Sequence, residues 1–287
     1  MNAPLTDLEI VPRHMGFEFP ADTPKYWFAG EPWATHLLNS LSIAFPPGEA
    51  AFVNSVRRVK DRVTDPKLQA EMRAFTTQEM HHSKEHEAFN DWLRSLGLPV
   101  DSILQEITEN ITKNRKTMEE RVDLAFTAAL EHFTAILAEL LLGDPEIQAS
   151  MHENVRHLWM WHAIEEIEHK AVAFDVFHEV GGEYRTRALV MAIVTVAFIF
   201  NTSRFHFRML RADGELTNWK SAARYYWKFW GPRGYFTRLI PSYLEYYRRD
   251  FHPWQRDDRP LIQRFLGEIE ARAKRIGPSS KAARASA

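Results

Sequence analysis

With 287 residues, 45% hydrophobic and 26% charged, the chain exceeds the usual ~100–200-residue domain and carries too many apolar side chains to be disordered. It contains no cysteine, which excludes disulfide frameworks, thiolate zinc sites, iron–sulfur clusters and cysteine nucleophiles. The 13 histidines and 38 acidic residues that remain suit hard and borderline metals. The net charge of −2 conceals a division: about +10 from Asn201 onward against about −12 before it.

Met1–Pro12 has neither a basic n-region nor a continuous apolar stretch, which predicts no secretory signal and a cytoplasmic protein. Residues 1–47, rich in proline and aromatics, predict an arm packed on the body, punctuated by Pro46-Pro47-Gly48. A helical pattern runs from Glu49 to about Val63. Asp65-Pro66 is a helix-start signal, and the helix it opens stops at Gly97. A weaker pattern covers Asp101 to about Asn114. A strongly apolar helix follows from Met118 to Leu142, and another from Pro145 to Val180, ending at Gly181-Gly182. No strand alternation bounded by hairpin turns occurs. The fold class is therefore all-α, with a four-helix bundle over residues 48–182.

Residues 183–276 predict an apolar helix and an aromatic, basic extension. From Ala188 to Phe200 only Thr195 is polar, a run of 13 residues where a bilayer span needs ~20. Trp219–Trp254 interleaves Tyr225, Trp227, Phe229 and Trp230 with Arg233 and Arg238. Residues 277–287, rich in Ser, Ala, Lys and Arg, read as a disordered tail.

The chemistry lies in the four long helices. Glu79-Met80-His81-His82 and Glu166-Ile167-Glu168-His169 each hold a Glu-x-x-His, which on a helix aims a carboxylate and an imidazole at one point. One such motif arises by chance on a solvated helix; two in one bundle, each preceded by an inward glutamate, are more specific. Glu49 shares a stripe with Phe52, Val53 and Val56. Glu131 sits on a helix apolar nearly all round, where an unpaired carboxylate costs several kcal/mol unless a metal or other partner offsets it. Glu139 and Glu165 are alternatives to Glu131 and Glu166. His162 and His86 project toward the same region, His162 as a seventh ligand or a histidine beside the ligands, His86 as the latter. His81 points away, and Glu168, off the ligand stripe, is expected to be dispensable for both metal and stability.

Glu49, Glu79-x-x-His82, Glu131 and Glu166-x-x-His169 together resemble the ferritin-like di-iron carboxylate superfamily. His162-x-x-x-Glu166-x-x-His169 is similar to its arylamine N-oxygenase branch, in which such a pattern supplies a seventh protein ligand. Over almost the whole chain, Phe45-Pro-Pro-Gly-Glu49, Gln78-Glu-Met-His-His82, Trp161-His-Ala-Ile-Glu-Glu-Ile-Glu-His169 and Asp250-Phe-His-Pro-Trp254 resemble a bacterial family described as predicted metal-dependent hydrolases. That description implies hydrolysis, although the chain has neither a His-Glu-x-x-His nor a Gly-x-Ser-x-Gly.

The superfamily resemblance implies two iron ions, with manganese or a mixed pair as variants, and a di-iron oxygenase or oxidase acting on a hydrophobic or aromatic small molecule. No catalytic residue beyond the ligands is expected. Electrons would come from an external donor, since no flavin or nicotinamide fingerprint is present. A two-metal hydrolase and a metal-storage protein are the alternatives. The aromatic, basic extension predicts either a peripheral contact at the inner membrane surface or a cap completing the core; a homodimer is compatible with both, and nucleic acid is not expected.

Overall fold

The computed structural model describes residues 8–276. Its helices are α1 (Pro32–Arg58), α2 (Pro66–Ser95), α3 (Val100–Arg115), α4 (Glu120–Gly143), α5 (Pro145–Ser150), α6 (Glu153–His169), α7 (Val172–Glu179), α8 (Tyr184–Ala212), α9 (Trp219–Trp230), α10 (Tyr235–Glu245) and α11 (Arg259–Ile276). Among the described residues the fold is all-α, and the one extended pairing is a bridge between Phe28 and Met151. Asp65 caps α2 as its side chain implies, accepting from the Lys67 N–H at 2.8 Å.

The helix expected from Glu49 begins at Pro32 instead, with Pro46 and Pro47 inside it. Interior prolines remove backbone donors, so local signals argue for a break. Tertiary contacts override them. The Ser42 carbonyl, which an amide at position 46 would have reached, accepts from Asn90 Nδ2 at 3.3 Å. Burial of Trp33, Leu37, Leu41 and Ile43 secures the preceding turns.

The helix expected over Pro145–Val180 is three pieces, α5, α6 and α7. At the first break the N-terminal segment docks: the Ala29 N–H donates to the Ser150 carbonyl at 2.6 Å, and the His152 N–H to the Trp27 carbonyl at 2.8 Å. At the second, the Lys170 ammonium contacts Asp258 and donates to the Arg256 carbonyl at 3.1 Å. The 13-residue apolar run is the middle of the much longer α8. The disorder expected for 277–287 lies outside the described residues.

Helix α1 packs along α2, and α4 along α6 and α7; contacts of α1 with α4 and of α2 with α6 close a four-helix arrangement. Helices α8 and α9 pack on α1, and α8 and α10 on α4, so all three cover the same side. Among the described residues the interior has two apolar clusters, one around Ile43, Phe89, Trp161 and Ile164, the other around Phe52, Phe75, Leu124 and Phe177. Along α1, Glu49 falls between Ile43 and Phe52; along α2, Glu79 and His82 fall between Phe75 and Phe89. The polar side chains thus form a layer between two dry ones.

Candidate metal centre

All seven side chains expected from the sequence are buried and converge within that layer. Glu49, His82 and His162 form one group and Glu79, Glu166 and His169 a second, the donor atoms in each lying within 4.8 Å of one another. Glu131 belongs with the second group, its Oε2 standing 3.3 Å from His169 Nε2. Glu166 faces both: Oε1 is 2.8 Å from His162 Nε2 and 3.4 Å from His82 Nδ1, while Oε2 is 3.5 Å from His169 Nε2. Glu79 does the same, with Oε2 3.8 Å from His82 Nδ1 and Oε1 3.3 Å from His169 Nε2. The two Glu-x-x-His glutamates therefore each present one oxygen to either group.

These residues fit a pair of metal ions on the structure's own terms. Glu49 Oε1, both carboxylate oxygens of Glu79 and of Glu131, Glu166 Oε2, His82 Nδ1 and His169 Nε2 are buried without a hydrogen-bond partner. Unsatisfied buried polar atoms are rare, and so many facing one point call for a ligand. Charge gives the same answer, because four carboxylates would be neutralised by two divalent cations. Without them, burial holds the Glu49, Glu79 and Glu131 carboxyls above their ordinary range. Burial also pushes on Glu166, but the surrounding imidazoles, His169 foremost, outweigh it and hold that carboxyl well below. Burial lowers His82, and it lowers His162 to about 4.

A second ring of residues orients the imidazoles. His82 Nε2 donates to Glu165 Oε2 at 3.1 Å, and His169 Nδ1 to Gln78 Oε1 at 2.9 Å, so each ring turns its other nitrogen to the centre. Gln78 Nε2 donates to Glu168 Oε2 at 2.8 Å. Arg13 closes the network from the N-terminal segment, donating to Glu168 at 2.7 and 3.0 Å and to Glu165 at 3.2 Å. Glu168 is thus a buried ion-pair partner two hydrogen bonds from His169, contrary to the dispensable role expected of it. Sequence reasoning missed Arg13 and Gln78. The arm has no periodicity to mark an inward side chain, but Gln78 beside Glu79 offered a weak signal.

The alternative candidates have other partners. Glu165 bonds His82 and Trp161, and Glu139 pairs with Arg256 at 3.0 Å, and neither lies in the two donor groups. His86 Nε2 lies 2.6 Å from His162 Nδ1, outside both groups. His81 meets the Arg13 carbonyl at 3.1 Å, away from the centre. A cavity of about 100 Å³ reaches the layer, walled by Leu41, Phe45, Leu137, Ala138 and Trp159 and including His162 and Glu166.

Fold and site define an all-α protein with buried Glu and His groups able to hold metal ions. The chain belongs to the family described as predicted metal-dependent hydrolases, whose profile matches residues 11–257, a span that includes Arg13 and every residue of the centre. No curated protein and no solved structure matches it.

Proposed function

We propose that Glu49, Glu79, His82, Glu131, His162, Glu166 and His169 hold two transition-metal ions, iron foremost and manganese as a variant, in an oxygenase or oxidase for an apolar small molecule. Such a pair, when bound, supplies redox chemistry toward dioxygen; as Lewis acids the same ions would activate water. The observation that carries the reading is the sharing of Glu79 and Glu166 between two donor groups beside an apolar cavity. Carboxylates and neutral imidazoles without thiolate suit Fe(II) and Mn(II).

The chain's own residues prepare the site. Ser42 Oγ donates to Asn90 Oδ1 at 3.1 Å, so it accepts from His86 Nδ1 at 2.8 Å. His86 Nε2 then accepts from His162 Nδ1–H, leaving the His162 Nε2 lone pair for a metal. Phe45 packs edge-on against both His86 and His162 and keeps that part of the layer dry. Substrate enters among Leu, Phe and Trp side chains, and no Lys or Arg lines the cavity among the described residues. That lining selects uncharged, apolar molecules over phosphate esters. With no flavin or nicotinamide fingerprint in its sequence, the chain would draw electrons from an external donor.

The family description favours a second reading, a two-metal hydrolase, which the same lining would restrict to apolar carboxylic esters. One experiment separates them. Protein loaded with Fe(II) is given a chemical reductant and air, and oxygen uptake is followed with an electrode beside hydrolysis of a p-nitrophenyl acyl ester. Oxygen uptake dependent on His82 and Glu131 supports the oxygenase. Ester turnover without oxygen uptake, sustained by zinc as well as iron, replaces it with the hydrolase.

A further inference from the structure

Helix α8 is apolar on two sides, which a helix lying on a bundle does not require. Its inner face buries Val190, Met191, Val194, Phe205 and Met209 against the bundle. Its outer face exposes Leu189, Ile193, Val196, Ile199 and Phe200, with Val196 71% accessible and Leu189 and Phe200 64% each. The stripe is about 17 Å long at ~1.5 Å per residue. Single exposed apolar side chains need no explanation, but here they recur on the next two helices. Trp219 and Trp227 on α9 are each 74% accessible, with Tyr226 and Trp230 beside them, and α10 exposes Ile240 and Leu244. All three helices pack on the α1–α4 side of the bundle.

We infer that this face is an interfacial membrane-binding surface that docks on a bilayer containing anionic phospholipid. Helix α8 is fixed on the bundle by its inner side, so it lies in the interface plane rather than crossing it. Tryptophan and tyrosine mixed with cations suit the headgroup layer. Many cations here already meet acidic groups of the body: Arg204 and Arg208 contact Glu106, Arg224 pairs with Glu31 at 2.6 Å and Lys228 with Glu146 at 2.7 Å. Arg211, Lys220 and Arg233 have no ion-pair partner among the described residues and remain for lipid phosphate.

Charge selects the occupant. Across residues 184–245, which hold these three helices, Lys and Arg outnumber Asp and Glu ten to three, so a second copy docked face to face would set like charges together, whereas an anionic bilayer is complementary. The cavity gives the location a use, since Phe229 of α9 and Tyr235 and Phe236 of α10 form part of its wall. An apolar molecule leaving the bilayer would meet the cavity without crossing water. Docking itself does not depend on which reaction the centre performs.

The test is flotation of the full chain with vesicles of phosphatidylcholine alone or with 30% phosphatidylglycerol (about a third of the lipid), at low and high salt. Expected is co-flotation with the anionic vesicles, weakened at least tenfold by high salt, by the combined Ile193→Gln, Val196→Gln and Phe200→Gln, or by Trp219→Ser with Trp227→Ser. These side chains are exposed, so the variants should keep the wild-type circular dichroism. The tryptophan pair provides an independent arm if the glutamine variant does not fold. Protein remaining at the bottom of the gradient with anionic vesicles overturns the inference, as does flotation that both variants leave unchanged. A concentration-dependent dimer that the glutamine variant dissociates, with no flotation, assigns the face to a second copy and overturns it too.

Discussion

Arg13 reaches from the N-terminal segment to Glu168, its Nη2 2.7 Å from Glu168 Oε1, and the same guanidinium meets Glu165 at 3.2 Å. One buried cation thereby anchors both carboxylates behind the imidazoles, since Glu165 accepts from His82 and Glu168 is joined to His169 through Gln78. A segment without helical pattern is in this way part of the centre's geometry.

Arg13→Ala is expected to leave Glu165 and Glu168 buried beside each other without their cation. Breaking a buried pair on one side costs ~3–5 kcal/mol, and loss of the orienting ring lowers metal affinity by ~10–100-fold. Chemical denaturation and a metal titration measure the two effects. Glu168→Gln should restore part of the stability lost in Arg13→Ala, because it removes one uncompensated charge; a double variant no more stable than the single would refute the coupling.

Glu131→Gln separates metal binding from folding. In the metal-free protein burial raises this carboxyl, so its ionised form is disfavoured. The amide is neutral and similar in shape. Metal-free Glu131→Gln should match or exceed the wild type by ~1–3 kcal/mol at pH 8, while gaining much less thermal stability on addition of Fe(II) or Mn(II). Differential scanning calorimetry with and without metal reads both changes.

His162→Ala should weaken one of two bound ions more than the other, because His162 groups with Glu49 and His82 and not with His169. Elemental analysis after gel filtration should fall from about two metals per chain toward one. His86→Ala, which frees His162 Nδ1 without removing a donor to the centre, should lower affinity while both ions still bind at saturating metal.

Acid should loosen the seam between α8 and α1 through His206. This buried imidazole donates to the Trp33 carbonyl at 2.8 Å, and burial lowers its pKa from 6.5 to about 4. Above pH 6.5 folded and unfolded chains both hold it neutral. As pH falls from 6.5 toward 4 the unfolded chain takes up a proton that the folded one refuses, so stability declines by up to ~3 kcal/mol. Urea unfolding at pH 7, 5.5 and 4 follows the decline, and His206→Gln should remove this histidine's share of it, other buried imidazoles such as His162 keeping theirs.

What could be read from the chain alone follows from what is local. Helical periodicity, the Asp65-Pro66 start and the Gly97 stop announce an all-α chain, because each signal acts within a turn or two of backbone. The doubled Glu-x-x-His was legible for the same reason: positions i and i+3 share a face wherever the helix goes, and an apolar surrounding such as that of Glu131 already implies burial. Only tertiary structure decided the rest. It carried α1 through Pro46 and Pro47, because packing of Leu37, Leu41 and Ile43 and the Asn90 side chain offset the missing backbone donors. It divided the expected last helix of the bundle, where the N-terminal segment pairs with Ser150 and His152. It placed Arg13 beside Glu168, 155 residues away, an ion pair whose energy comes from burial and exact partners that no short stretch of sequence records. Local propensity names the donors; long-range packing determines which of their atoms face one another.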